Sequence, residues 1–352
     1  MTFVPRKLDD LTTEYFSECL RSSGVLTDGH VQKVDLRHNA DGKGVVAEIV
    51  HVRLKYSPTE RDAPERIVVK IPSFDDETRE GFAGVGTYSN EALFYLHIAD
   101  QVQLRTPTCY FGHVEEQSGE SVIFLEDLSG ARPGDRTIPL DPPTAKKIVR
   151  ELGTFHGEWL NSPKLDTLSS IWDMRSGVMP ITNAFPNAWR EYRQHDDWKL
   201  DSNTLDYGDK LVRRIEEVPE SFKPMDVSLR HGDAHHDNMF FVDTPAGVEV
   251  IYLDWQMVSL GDPTHDFVTL LSNGMSPREL SDNYRELRDE YRSAIEYSSP
   301  MGITDESITT GIRNTLTVQF MRKFVTKRNP VSDSPLSRLL WDRLCHSITI
   351  IE

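Results

Sequence analysis

The first apolar pattern of the chain has a helical period. Leu8, Leu11, Tyr15 and Cys19 in "LDDLTTEYFSECLRSSG" share one face, and Gly24 ends the pattern. Beyond it the spacing drops towards two. "VQKVDLRH" and "VVAEIVHVRLKY" are rich in β-branched residues, and the "NADGKG" between them, Asn39 to Gly44, carries turn chemistry, which predicts a β-hairpin. "RIVVKIP" predicts a further strand, with the single lysine Lys70 in an apolar run. In "GFAGVGTYSNEALFYLHIAD" the glycines from Gly81 to Gly86 read as a flexible link, Ser89 or Asn90 as a helix cap, and Glu91 as a residue near the helix start. "TPTCYFGHVEE" and "SVIFLEDLSG" predict two more strands. The connector "GARPGDRTIPLDPP", Gly130 to Pro143, leads into helical patterns, beginning with "TAKKIVRELGTFHGEWL". An aromatic-rich stretch follows, holding Trp172, Trp189, Tyr192 and Trp198, and it suits a helix core as well as a substrate wall. Strands return only in "MFFVD" and "VEVIYLDW". This order predicts an α+β chain with a β-rich N-terminal lobe, residues 1–127, and a mainly helical C-terminal lobe, residues 128–352, joined near residues 126–130.

Composition narrows the function classes. A formal charge of −17 argues against a nucleic-acid binder, whose affinity comes largely from Lys and Arg neutralising phosphates. Cys19, Cys109 and Cys345 lie far apart and outside any C-x-x-C pairing, so they predict neither a disulfide framework nor a thiolate metal site. The first residues lack the apolar core of a signal peptide and no apolar run is long enough to span a bilayer, which makes the cytoplasm the expected location.

The densest candidate chemistry is "RHGDAHHDNMFF", residues 230–241. One reading takes His231, Asp233, His235 and Asp237 as ligands of a metal-dependent hydrolase, since alternating His and Asp can bind zinc or a dimetal pair. Gly232 and the apolar strand that follows make the segment look more like a loop entering a hairpin. The other reading pairs Asp233 with Asn238 in the D-x-x-x-x-N spacing of kinase catalytic loops, where the Asp takes the acceptor proton and the Asn ligates Mg²⁺. Three further residues in the expected order give that reading its weight: Asp254 after "VIYL", Lys70 in its strand and Glu91 on the next helix, the last two forming the pair that positions nucleotide phosphates. Taken singly, Lys70 reads more readily as a snorkelling surface lysine and Glu91 as a first-turn carboxylate favoured by the helix dipole, and only their combination favours function.

These residues resemble a family. "LRHGDAHHDNMFF", "VIYLDWQ" and "GDPTHDFVTLL" are similar to the signatures of the aminoglycoside phosphotransferase and choline kinase-like superfamily. "SVIFLEDLSG" and "NEALFYL" look most like its ecdysteroid kinase-like (CHK kinase-like) branch and bacterial relatives. The resemblance implies a bilobal protein-kinase-like fold and transfer of the γ-phosphoryl group of ATP, or GTP, to a hydroxyl of a small molecule. It makes Asp233 the base, Asn238 and Asp254 the Mg²⁺ ligands, Lys70 the phosphate-positioning residue and Glu91 its partner. Backbone groups around Glu126, Asp127 and Leu128 would receive the nucleotide base, and Gly42 and Gly44 would cover the phosphates. The chain departs from related patterns in three places: the hairpin loop lacks a full glycine motif, there is no G-x-x-x-x-G-K-[ST] loop, and Trp255 and Gln256 follow Asp254 where protein kinases carry Phe-Gly. The poor glycine loop keeps open a third reading, a catalytically degenerate nucleotide-binding module. His231 reads as structural, His235 and His236 as solvated or near the phosphates, and Asp262 and Asp266 as braces around the loop.

Overall fold

The computed structural model describes residues 3–38, 46–58, 62–84, 86–168, 172–173, 175–194, 200–218, 225–326 and 334–351. The chain divides into two compact units, residues 1–132 with 240–257, and residues 133–239 with 258–352.

The first unit is built on an antiparallel sheet of β1 (Val31–His38), β2 (Ala47–Tyr56), β3 (Arg66–Pro72), β4 (Cys109–Val114) and β5 (Ser121–Glu126), in the order β1-β2-β3-β5-β4. The period-two pattern of β3 assigns its faces. Ile67, Val69 and Ile71 are buried in one core cluster with Tyr15, Phe16, Cys19 and Leu20 of helix α1 (Thr13–Ser22), while Val68 and Lys70 point to the opposite face. Each fully buried aliphatic residue of this kind contributes about 1.5–3 kcal/mol. Register places Lys70 opposite Ile49 of β2 and Ile123 of β5, so the lysine stem lies mid-sheet.

Two helices follow β3. Helix α2 (Asp76–Ala83), capped by Asp75, takes in Gly81 to Ala83, which corrects the flexible-link reading: the cap and the backbone hydrogen bonds of the helix outweigh the low propensity of glycine. Helix α3 (Thr87–His97) has Gly86 as its N-cap, three or four residues before the expected one, and its Ser89 and Asn90 lie inside it. Tyr88, Ala92, Phe94 and Tyr95 of α3 are buried, so the helix is apolar over much of its circumference. The same unit holds most of the hairpin of strands Met239–Thr244 and Gly247–Tyr252 and the turn Trp255–Met257. Trp255 stacks on Phe94 at 3.8 Å with the rings 7° apart, tying the segment that carries Asp254 to α3.

The second unit is helical: α4 (Pro142–Trp159), α5 (Arg175–Tyr192), α6 (Ser202–Arg213), α7 (Thr264–Gly274), α8 (Pro277–Ser298), α9 (Asp305–Thr326) and α10 (Pro335–Ile351). Helix α8 opens with a capping box between Ser276 and Glu279. Helices α4 and α8 pack at close range because α4 offers glycines there. A Cβ on Gly153 would lie 2.7 Å from both the Tyr291 carbonyl oxygen and Ala294 Cβ, and one on Gly157 would lie 2.7 Å from the Ile295 carbonyl oxygen. Trp189 and Tyr192 prove to be core residues, packed with Phe324; the Trp189 indole also meets Phe185 and donates to Asp209 at 2.8 Å. Trp198 and the side chain of Trp172 lie outside the described residues. Among the described residues, no helix is long and apolar enough to cross a membrane.

Candidate active site

In the first unit three sequence-predicted residues meet. Lys70 from β3 places its ammonium 2.6 Å from Glu91 Oε2 on α3 and 2.8 Å from Asp254 Oδ1. The Lys70 and Glu91 side chains are only 17% and 6% exposed, which removes the snorkelling and first-turn readings. Burial alone would lower the lysine pKa, but the Asp254 and Glu91 carboxylates outweigh it and hold the ammonium above the ordinary lysine range. Burial raises the Glu91 carboxyl against the pull of Lys70. Asp254 sits at φ +62°, a left-handed conformation that an aspartate tolerates better than most residues. Its second oxygen accepts from Gln256 Nε2 at 3.2 Å.

At the C-terminal end of β5, Glu126 is a bidentate partner of Arg105 at 2.8 and 2.7 Å, Asp127 accepts from the Ser129 amide at 2.9 Å, and the Leu128 carbonyl accepts from Ala131 at 2.9 Å. Gly42 and Gly44 lie outside the described residues.

In the second unit, Asp233 stands in the loop between the strand Ser228–Arg230 and the 3-10 turn His236–Asn238. Gly232, at φ +84°, supplies the left-handed turn into it. Asp233 is surrounded by donors. Its amide donates to His231 Nδ1 at 3.3 Å, His235 Nε2 lies 3.2 Å from its Oδ2, and the Asn238 amide nitrogen donates to its carbonyl oxygen at 3.0 Å and to Oδ2 at 3.3 Å. Burial pushes the Asp233 carboxyl up, but the hydrogen bond and charge of His235, with His231 and Arg136, bring it down to about 2. Its side chain is nonetheless 38% exposed, so an ionised carboxylate is open to an incoming group. Because the Asn238 nitrogen is turned to Asp233, its amide oxygen points elsewhere and accepts no hydrogen bond among the described residues.

The remaining histidines and aspartates are otherwise engaged. His235 and His236 are buried, not solvated: His235 packs against Asp233, and His236 Nε2 lies 2.8 Å from the Asp135 carbonyl oxygen and 3.1 Å from that of Ile138. Asp237 pairs with Arg136 at 2.7 Å. Among the described residues no group of three His, Cys, Asp or Glu converges to hold a metal ion, which leaves the hydrolase reading without its ligand set. Asp262 accepts from the Thr264 amide at 2.9 Å at the start of α7, and Asp266 accepts from the His231 and Gly232 amides at 2.6 and 2.9 Å, so both brace as expected.

Two residues near Asp233 escaped the sequence reading. Arg136 comes from the connector, where nothing marks it. Arg322, on α9, is half-buried, and its guanidinium makes no hydrogen bond or ion pair among the described residues; burial lowers its pKa and the Asp233 carboxylate raises it. Its only sequence signal is a basic residue within the buried run "VQFMRKF".

The profile described as "Phosphotransferase enzyme family" matches residues 59–299. No curated protein matches the chain. Among solved structures, the chain is similar to the GDP and kanamycin complex of APH(2")-IIia, with a TM-score of 0.56 and 13% identity over 95% of this chain and 98% of that one. It is also similar to a choline kinase from Cryptosporidium parvum Iowa II, with a TM-score of 0.53 and 10% identity over 90% and 88% of the two chains. A third likeness is the GDP complex of wild-type aminoglycoside 2'-phosphotransferase-IIIa, with a TM-score of 0.53 and 13% identity over 96% and 99%. At such identities the likeness concerns the fold, which is α+β and protein-kinase-like, β-rich in its N-terminal part and helical in its C-terminal part.

Proposed function

The chain belongs to the phosphotransferase enzyme family, and from that premise we propose that it is a small-molecule kinase transferring the γ-phosphoryl group of ATP or GTP to a hydroxyl of its acceptor. Within the family we place it in the CHK kinase-like branch, on "SVIFLEDLSG" and "NEALFYL". In this proposal residues 1–127 form the nucleotide-binding lobe and residues 128–352 the catalytic and acceptor-binding lobe.

The observation that carries the reading is Lys70, held between Glu91 at 2.6 Å and Asp254 at 2.8 Å in a buried setting. An ammonium kept charged and aimed by two carboxylates suits the positioning of nucleotide phosphates, which is most of what phosphoryl transfer asks of a protein. The donor chemistry also suits magnesium. Asn238 would offer the amide oxygen that its bond to Asp233 leaves free, and Asp254 a carboxylate, both hard oxygen ligands. Bound with nucleotide, magnesium would neutralise charge on the phosphate oxygens. Asp233, ionised and open on one side, would orient the acceptor hydroxyl and take its proton. Backbone groups of Glu126, Asp127 and Leu128 would receive the base, and Gly42 and Gly44 keep their role as a phosphate cover in this scheme. The net charge of −17 favours a cationic acceptor at long range, whereas Arg322 opposes one close to Asp233.

Thermal-shift measurement with ATP or GTP, with and without Mg²⁺, tests the proposal. Magnesium-dependent stabilisation is expected in the wild type and in Asp233→Asn, and is expected to vanish in Asp254→Asn. A wild type that no nucleotide stabilises sinks the reading.

A further inference from the structure

Three segments of the second unit run side by side in one direction. The loop that bears Asp233 follows α7: the His231 and Gly232 amides bond to Asp266 near the helix start, and at the helix end a Cβ on Gly274 would lie 3.2 Å from His236 Nδ1. Helix α9 follows α7 as well. Its Gly311 stands against Asp262 and Thr264, whose side chains a Cβ there would overlap, and further along Gln319 donates to Thr269 Oγ1 and accepts from Ser272 Oγ, both at 3.1 Å. Arg322 lies about three turns beyond Gly311, and so on the same face of α9, the one turned towards α7 and the loop. Phe320 and Phe324, on the opposite face, pack with Trp189 and Trp341.

The charge of Arg322 is felt around the loop. Burial, and after it the charges of Arg230 and Arg322, lower the imidazole of His265, whose Nε2 lies 3.1 Å from the Gly232 carbonyl oxygen. Burial disfavours the Arg322 charge itself, and the Asp233 carboxylate favours it without forming an ion pair. Two tasks that such a residue could perform are already filled. Against burial, Asp233 is held ionised by His235, with His231 and Arg136, and α9 is tied to α7 by Gln319. A half-buried cation with no counter-ion destabilises a fold, and groups that break this rule beside a reactive carboxylate mark functional sites.

We propose that Arg322 selects the acceptor by binding an anionic group, a carboxylate or a phosphate ester, carried close to the hydroxyl that Asp233 receives. The planar guanidinium offers paired N–H donors that match the oxygens of either group. Because Arg322 and Asp233 do not pair, one acceptor can lie between them and touch both. The chain's charge of −17 repels an anion mainly at long range, where salt screens it beyond about 8 Å, so at contact the guanidinium decides. A cationic acceptor would meet repulsion at that point, and a neutral one would leave Arg322 without a counter-ion. That a hydroxyl stands at Asp233 rests on the kinase reading; the anion site at Arg322 does not.

Matched pairs of small alcohols test the proposal on the full chain. Short hydroxycarboxylates are compared with their amides, and hydroxyalkyl phosphates with the corresponding diols, by ADP release with magnesium and ATP or GTP and by thermal shift without nucleotide. In the wild type at least one anionic compound is expected to exceed its neutral analogue in kcat/KM by about 10–100-fold, the scale of a hydrogen bond to a charged group, and the arm in which it appears names the anion. Arg322→Met is expected to erase that preference by raising KM with kcat little changed, and to leave stabilisation by nucleotide in place. Arg322→Lys, which keeps the charge without the fork, is expected to keep a smaller preference, and it decides the matter if Arg322→Met does not fold. A wild type in which no anionic compound outperforms its analogue, or an Arg322→Met protein that discriminates as well as the wild type, overturns the proposal. The thermal shift by the anion alone needs no turnover. Its loss in Arg322→Met would stand even where nucleotide fails to stabilise the chain, so failure here and failure of the kinase reading are separate results.

Discussion

Replacing Gly153 by alanine tests the close packing of α4 and α8 most directly. In an exposed helix interior the change would be favourable by about 1 kcal/mol, because alanine is the best helix former and glycine among the worst. At Gly153 the new Cβ meets the Tyr291 carbonyl oxygen and Ala294 Cβ, both at 2.7 Å, and neither atom belongs to a flexible side chain. Overpacking of this kind costs about 1–3 kcal/mol, since α8 itself must shift. The balance is a net loss of up to about 2 kcal/mol. Gly81 supplies the control. It lies inside α2, and a Cβ added there would meet nothing within 4 Å, so Gly81→Ala should gain about 0.5–1 kcal/mol from propensity alone. Urea unfolding of the wild type and both variants, compared by midpoint at equal slope, measures the difference. A Gly153→Ala protein more stable than the wild type, or a Gly81→Ala protein that loses stability, would refute the packing argument.

Other outcomes follow from the site. Asp233→Asn should lower turnover, read as ADP release with an identified hydroxyl acceptor, by about 10²–10⁴-fold while leaving nucleotide affinity in place; comparable loss of both would remove its role as base. Acid unfolding should carry an Asp233 signature. Its pKa falls from 3.8 to about 2 on folding, so its contribution is fully present above pH 3.8 and is lost as pH drops from there through 2. Asp233→Asn should therefore lose stability less steeply than the wild type across that window. Arg322→Met should raise the unfolding midpoint, by up to about 1 kcal/mol in stability, because it removes a half-buried charge that has no partner among the described residues. A loss of stability would show that the guanidinium is braced in the native state.

Local pattern carried much of this fold. Alternation in "RIVVKIP" assigned both the strand and the odd placement of Lys70, because strand faces follow from a period of two within a few residues. The motif spacing likewise singled out Asp233, Asn238 and Asp254. Local pattern misled at two places, one overruled by a nearby cap and one by neighbours distant in sequence. The glycines before α3 read as a link, yet Gly81 to Ala83 are helical under the Asp75 cap. His235 and His236 look solvated in a polar run, but the carboxylate of Asp233 and the carbonyl oxygens of Asp135 and Ile138 take them into the interior.

The chain's order of elements and its phosphotransferase signatures were therefore settled by the sequence alone, since periodicity and motif spacing are properties of neighbouring residues. Only the tertiary structure decided which polar groups meet. Lys70 and Asp254, 184 residues apart, share an ion pair, and His156 comes to lie between Asp266 and Tyr291 because two glycines let helices approach. Such contacts depend on the burial of groups that must then find partners, and a buried charge selects its partner by position in space rather than in sequence.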